Sequence, residues 1–379
     1  MITFICGSFE EGKDGVGDYI RKLAKELTKF GREISVLAIS DKFVDECYGK
    51  ELKFDQTNSL KVLRIPFLVN WDEKEKLSKQ FMAENDTKIC SIQYVPHAFH
   101  NKGLPFNLLK YLANVSNFRN LKFHIMFHEL WIQESGIKNY IYREIQKRIL
   151  LRILVITNAS LIHTHVPVYA RRLRNLAAIE VKKLPLFANI EPFVLPEKDS
   201  KERTDPYFIV GIFSQFKYYD AIEGSLDDIY NKCKELGWEF SLKFLGGKSE
   251  NIEKFRSQFK NQNLVANYIK TGFLNDIELS REFDKCNIGI TSVPLHLLGK
   301  SGSFSAFMAH GIPILAPVKL RENDEIGAFF KSFEGIIVNP SKLELDNLSF
   351  LREAVGLIAK EIRSSHIAEI FNQDLENLY

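Results

Sequence analysis

The stretch Asn287–Pro317, NIGITSVPLHLLGKSGSFSAFMAHGIPILAP, reads as strand, loop, helix, strand. Asn287–Val293 is short, apolar and β-branched, the pattern of a buried strand. Gly299-Lys300-Ser301-Gly302-Ser303 follows as a loop, with Ser303 placed to cap a helix that runs to Gly311, and Pro313 stands just beyond. Ile314–Ala316 then resumes a strand. A Gly/Ser loop opening a helix gathers free backbone N–H groups and the positive end of a helix dipole at one point. Lys300 adds a full charge there, and the hydroxyls of Ser301 and Ser303 add donors. The chemistry suits a phosphate or diphosphate. A nucleoside-triphosphatase P-loop needs a glycine five positions before Gly299, and Pro294 stands there instead.

Working outward, the same alternation fills the chain. ITFIC opens as a strand, FEEGKDGVGDY follows as a Gly-rich loop, Tyr19–Phe30 has helical periodicity, and EISVLAI is a second strand. Gly15 and Gly17 give G-x-G at the end of the first strand, where open α/β sheets bind ligands, but Ile20 takes the third glycine position of a dinucleotide fingerprint. LKVLRI, KICSIQYV, LKFHIMF, ASLIHTH and IEVKKLPL are further strands, with helices expected at Asp72–Met82, Leu104–Val115 and Tyr140–Leu154. Between Asn189 and Pro206 proline and charge replace the pattern, as in a linker. Alternation restarts with YFIVGIF and closes on two helices, Phe350–Ile362 and His366–Leu378. The expectation is an α/β protein of two doubly wound units.

At 379 residues, with 45% hydrophobic and 26% charged, the chain is globular and has room for two domains. A net charge of +3 gives no reason to expect a nucleic-acid partner. The charge is uneven: Lys102–Lys183 carries 14 Lys/Arg against 4 Asp/Glu, which predicts a basic face. The five cysteines are scattered, as in a reducing compartment. MITFICGSF lacks the marks of a signal peptide, and no apolar run spans a bilayer, so a cytoplasmic location is expected. The basic helix around Asn139–Leu154 suits peripheral contact with an anionic membrane at the inner face. His97 and His100, and His163 and His165, are closely spaced, but no Cys or carboxylate lies beside either pair, so no metal is expected.

GVGDYIRKLAKEL after the first strand, FHELW after a mid-domain strand and SGSFSAFMAHGIPIL in the second half resemble the GT-B glycosyltransferases, most nearly family 4, retaining enzymes that use nucleotide sugars. IQYVPHAF followed by KGLP is similar to a loop of bacterial members. The family's Glu-x7-Glu motif is absent, since Leu298 and Ala306 stand at those places. Of its usual Gly-Arg…Lys set, Ile212 replaces the arginine while Lys217 keeps the lysine place.

The resemblance implies two Rossmann-like domains facing a central cleft. Residues 1–190 would form the acceptor-side domain, joined by a returning helix at 364–379, and residues 207–363 would bind the nucleotide sugar. It implies transfer of a sugar from a nucleotide-sugar donor to a saccharide or lipid-linked saccharide, with retention, in bacterial cell-surface polysaccharide synthesis. Donor contacts would come from Gly15, Gly17, Lys217, Lys300, Ser301, Gly302 and Ser303. Asp18, Tyr19 and His97 would lie on the acceptor side. His128, hydrogen-bonded to a sugar hydroxyl, and Glu129, orienting it or accepting from the acceptor, would be catalytic. No cofactor or metal is required, because lysines and a helix N-terminus can stabilise the leaving diphosphate. Two other readings stay open: a non-catalytic nucleotide-sugar-binding partner subunit, and an NAD-dependent oxidoreductase or epimerase.

Overall fold

The structure is a computed structural model that describes residues 1–118, 120–133, 135–193, 207–213, 216–320, 326–327, 335–337, 340 and 348–378. The chain divides into two compact units, Met1–Leu184 with Ile367–Tyr379, and Pro185–His366. Residues 194–206 of the expected linker lie outside the described residues.

In the first unit the elements run β1 Ile2–Cys6, α1 Gly15–Lys29, β2 Ile34–Asp41, β3 Tyr48–Lys53, β4 Ser59–Pro66, α2 Trp71–Glu84, β5 Ile89–Tyr94, α3 Pro96–Phe99 and α4 Phe106–Ser116. They continue with β6 Lys122–Phe127, α5 Ile137–Thr157, β7 Leu161–Thr164, α6 Pro167–Ala177 and β8 Lys182–Lys183. The sheet order is β3-β4-β2-β1-β5-β6-β7-β8. Only the β3–β4 pair is antiparallel. The predominantly apolar β1 and β2 are buried at every position, as parallel strands covered on both faces require.

The hairpin strand β3 is a difference from the expected pattern. YGKELK is polar and mostly exposed, an edge strand guarded by lysines, and its turn is set by Asp55 Oδ1 accepting from the Thr57 and Asn58 amides. Helix α1 starts earlier than expected, at Gly15, because Asp14 is its N-cap. Its apolar stripe, Tyr19, Ile20, Leu23, Ala24 and Leu27, is buried. Helix α6, also unforeseen, begins on Pro167.

The second unit contains β9 Tyr207–Phe213, α7 Asp220–Glu235, β10 Glu239–Leu245, α8 Ser249–Arg256, β11 Tyr268–Lys270, α9 Asp276–Phe283, β12 Ile288–Ile290, α10 Gly302–Ala309, β13 Ile314–Leu315, β14 Ile336–Ile337 and α11 Leu348–Ala359. Its strands are parallel, in the order β11-β10-β9-β12-β13-β14. One core layer holds Phe283, Phe304, Phe307, Val355 and Ile358; the other holds Ile222, Leu226, Ile229 and Phe255. The final helix, α12 Ser364–Glu376, buries Ile367, Ala368, Phe371 and Leu375 and belongs to the first unit from Ile367 onward. Arg32 Nε donates to its Asn372 Oδ1 at 2.7 Å.

Candidate functional site

In the second unit β9 is flanked by β10 on one side and β12 on the other, so the winding reverses between β9 and β12. Segments leaving the carboxyl ends of such a strand pair form the natural ligand crevice of a doubly wound sheet. Gly211 of β9 and Gly289 of β12 are register partners. A Cβ at Gly289 would lie 2.6 Å from the Phe307 ring, and one at Gly211 would lie 2.9 Å from it. The two glycines therefore make a flat bed for Phe307, which lets α10 sit directly on the strands.

That seat fixes the start of α10. The N-cap is Ser301, not Ser303 as the sequence suggested: its backbone is extended, and its Oγ accepts from the Phe304 amide at 3.2 Å. Ser303 instead falls in the first turn, its Oγ 3.0 Å from that of Ser301. Gly302 and Ser303 open the helix, where amides have no intrahelical acceptor. Lys300 ends the 3-10 turn Leu295–Lys300 that leads into the cap. Lys217, exposed after β9, donates its amide to Ser292 Oγ at 3.0 Å, which ties the segment after β9 to the segment after β12. Lys217 and Lys300–Ser303 thus follow adjacent strands at one sheet end. His310 is structural: Nδ1 lies 2.7 Å from the Ala306 carbonyl, Nε2 lies 3.0 Å from Ser280 Oγ, and the ring stacks on Phe283.

The first unit has its own switch point, with β1 between β2 and β5. A Cβ at Gly7 would lie 2.6 Å from Ala98 Cβ, so the segments after β1 and β5 touch. The glycines expected to cradle a diphosphate are placed otherwise. Asp14 Oδ1 accepts from the Gly17 amide at 2.6 Å, and Asp18 Oδ1 accepts from the Gly12 amide at 3.0 Å. Burial raises the Asp14 carboxyl above its ordinary value, against the Gly17 hydrogen bond, and the charges of Asp18 and Asp41 add to the rise. The Gly17 donor is already taken and carboxylates surround the helix start. Gly15 itself faces open space. Tyr19 is buried, its ring centroid 5.0 Å from that of His128 and 5.4 Å from that of His165 in edge-to-face contacts, and so supports rather than lines the crevice. His97 is exposed on α3, and Lys42 Nζ donates to its carbonyl at 3.2 Å.

His128 and Glu129 leave the end of β6, their amides donating to the Tyr94 carbonyl at 3.2 and 3.4 Å. Both ring nitrogens of His128 are engaged inside the unit. Nε2 lies 2.8 Å from Gln93 Oε1, and Nδ1 lies 3.0 Å from His165 Nε2. The expected hydrogen bond from His128 to a sugar hydroxyl has no nitrogen left to make it, and Gln93 and His165 fix the ring's orientation. Gln93 was not singled out in the sequence, and His165 only as one of a closely spaced histidine pair. Buried Gln146 of α5 braces the region, accepting from the Ile132 amide at 2.9 Å and donating to the Gly103 carbonyl at 3.0 Å.

Among the described residues no group of three or more His, Cys, Asp or Glu could hold a metal ion, and no helix is long and apolar enough to cross a membrane. Ile137, Tyr140 and Ile141 are exposed at the start of α5, whose Lys138, Arg148 and Arg152 also face solvent.

No family model and no curated protein matches the chain. Solved structures do. A glycosyltransferase from Rickettsia africae ESF-5 is similar over 99% of this chain and 97% of its own, with a TM-score of 0.60 and 12% identity. Anabaena Alr3699/HepE in complex with UDP and glucose covers 99% of both chains, with a TM-score of 0.58 and 12% identity. The lipopolysaccharide outer core galactosyltransferase WaaB, in its apo form, covers 100% of this chain and 99% of its own, with a TM-score of 0.55 and 11% identity. Two parallel, doubly wound sheets, a terminal helix belonging with the first, and this likeness over essentially the full length give the chain the GT-B fold.

Proposed function

We propose that the protein is a glycosyltransferase that moves a sugar from a nucleoside-diphosphate sugar to a saccharide or lipid-linked saccharide, with retention, in the synthesis of a surface polysaccharide. The observation that carries this reading is the second unit's switch point, where Lys217 and the Lys300–Ser303 helix start follow adjacent strands. Two ammonium groups, two hydroxyls and first-turn amides match a diphosphate that gains charge as the sugar–oxygen bond breaks. The GT-B fold and the UDP held by Anabaena HepE support it. On the first unit Glu129 is the group available to accept a proton from an acceptor hydroxyl, and His128 acts through charge. The exposed Ile137, Tyr140 and Ile141 beside basic side chains suit an acceptor presented on an anionic bilayer.

The test is a thermal-shift screen of purified protein over UDP-, GDP-, ADP- and CMP-sugars, UDP-sugars first, followed by measurement of nucleotide release with saccharide acceptors. Stabilisation by one nucleotide sugar and acceptor-dependent release are expected. Binding without release would favour the non-catalytic subunit, and stabilisation by NADH alone would favour the oxidoreductase. Flotation with anionic vesicles is expected to carry the protein upward, and failure to float removes the membrane-bound acceptor.

A further inference from the structure

His128 is one link of a longer chain through the core of the first unit. Lys182 Nζ donates to Asp374 Oδ1 at 2.5 Å, and Asp374 Oδ2 faces His163 Nε2 at 2.9 Å. His163 Nδ1 meets His124 Nε2 at 3.1 Å, and His124 Nδ1 meets Ser91 Oγ at 2.8 Å. Ser91 Oγ accepts from Gln93 Nε2 at 2.8 Å, and Gln93 Oε1 faces His128 Nε2 at 2.8 Å. His128 Nδ1 meets His165 Nε2 at 3.0 Å, and His165 Nδ1 faces the Leu184 carbonyl at 2.9 Å.

Both ends of this chain can only accept: a carboxylate at Asp374 and a carbonyl at Leu184. Between them stand six groups, His163, His124, Ser91, Gln93, His128 and His165, joined by seven hydrogen bonds. A neutral imidazole, a hydroxyl or an amide supplies one proton along such a chain and accepts one. Six neutral groups therefore leave one bond with lone pair against lone pair, buried and unfavourable. The chain fills only when one imidazole carries a second proton.

The donors and acceptors say which. From the carboxylate inward, His163 donates from Nε2, so its Nδ1 accepts from His124 Nε2–H. His124 Nδ1 in turn accepts from the Ser91 hydroxyl, which accepts from Gln93. From the other end, His165 donates from Nδ1 to Leu184, so its Nε2 accepts from His128 Nδ1–H. Gln93 presents oxygen to His128, so His128 must donate from Nε2 as well. We infer that His128 is held as an imidazolium at neutral pH by a hydrogen-bond chain whose far end is Asp374, and that Asp374, Ser91 and Gln93 are positioning residues for that charge.

Burial agrees with this placement. His124 and His163 are fully buried and His165 nearly so, whereas His128 is half-buried at the carboxyl end of β6. Burial keeps His124 well below the ordinary histidine value, and the charges of His163 and His128 press it the same way. Burial also lowers His163, although Asp374 opposes the shift. Groups facing His128 among the described residues include the Tyr19 ring from α1, Gln93 from β5 and His165 after β7, with Glu129 next in the chain. A fixed cation at the carboxyl end of β6 would attract an anionic group bound over it. Its use in sugar transfer rests on the reading proposed above; its protonation does not.

The experiment is side-chain 15N NMR of the histidines in the intact protein at pH 7.5, for wild type, Asp374→Asn and Ser91→Ala. Wild type should show two ring protons on His128, Nε2–H alone on His124 and His163, and Nδ1–H alone on His165. In Asp374→Asn, Lys182 keeps the amide oxygen, so the amide nitrogen becomes a donor to His163. All six groups can then point one way, and all four histidines become neutral Nδ1–H forms. Ser91→Ala cuts the chain, so His128 becomes neutral while His124 and His163 keep Nε2–H. A singly protonated His128 in wild type overturns the inference, and so does Asp374→Asn with unchanged tautomers. Should the NMR pattern hold while no nucleotide sugar is turned over, the proposed function fails and the protonation stands. With transfer present, Asp374→Asn should lower kcat with little change in donor KM.

Discussion

At the scale of single residues, the two ends of the proposed chemistry are held in different ways. Lys300 and Ser301–Ser303 are neighbours in sequence, and their grouping could be read from five consecutive letters. His128 could be singled out from its place after LKFHIMF, but its controlling partners could not. Gln93 is 35 positions away, and Asp374 is 211 positions from His163. A trace was present: Ser91 and Gln93, His124 and His128, and His163 and His165 each recur at even spacing, which places each pair on one face of three adjacent strands. Lys300→Ala should weaken nucleotide-sugar binding roughly 10- to 100-fold, the equivalent of a charge-assisted hydrogen bond of about 1.5–3 kcal/mol. Isothermal titration checks it, and unchanged affinity would remove Lys300 from the donor site. His128→Ala should lower kcat by about 10²-fold while moving donor affinity far less, as loss of preorganised charge does.

At the scale of elements, α10 is the part whose position is set by glycines beneath it rather than by its own sequence. Gly289→Ala should cost about 1–3 kcal/mol, because the new methyl must displace the Phe307 ring 2.6 Å away. Ser301→Ala should cost about 1 kcal/mol through loss of the N-cap. Urea unfolding reads both, and a neutral Gly289→Ala would mean that α10 is not pressed onto β9 and β12. Strands β1, β2, β5 and β6 were legible because short segments rich in β-branched and aromatic residues, with only isolated polar residues among them, admit few other fates. β3 was not, since YGKELK has no core face and owes its strand form to its partner β4. Helix α9 carried a readable sign in Asn275 and Glu278, which form a capping box. β8 and β13 lie within the expected strands IEVKKLPL and Ile314–Ala316, but β8, β13 and β14 pair over only two residues each.

At the scale of the whole molecule, the buried histidines make stability depend on pH. Burial first, then the neighbouring His163 and His128 charges, depress His124; burial first, opposed by Asp374, depresses His163. An unfolded chain protonates both near the ordinary value of about 6.5, and the folded chain does not. Stability present above that pH is therefore lost as pH falls, by up to about 1.4 kcal/mol per pH unit for each histidine. Asp374 acts lower down: burial raises its carboxyl, but hydrogen bonds from His163 and Lys182 outweigh this and hold it below the ordinary value. Its contribution persists until pH drops past about 3.8. Urea midpoints at pH 7 and pH 5 should differ accordingly, and equal midpoints would show that these rings are solvated.

The returning helix has a consequence for synthesis on the ribosome. Ile367, Ala368, Phe371 and Leu375 fill a core whose other walls were translated before residue 185. The nascent first unit must therefore wait, its hydrophobic slot empty, while some 180 further residues emerge and mature. Asp374 arrives only then, so a stalled or clipped chain would reach its neighbours with an open apolar groove, prone to clumping, and without the carboxylate that faces His163.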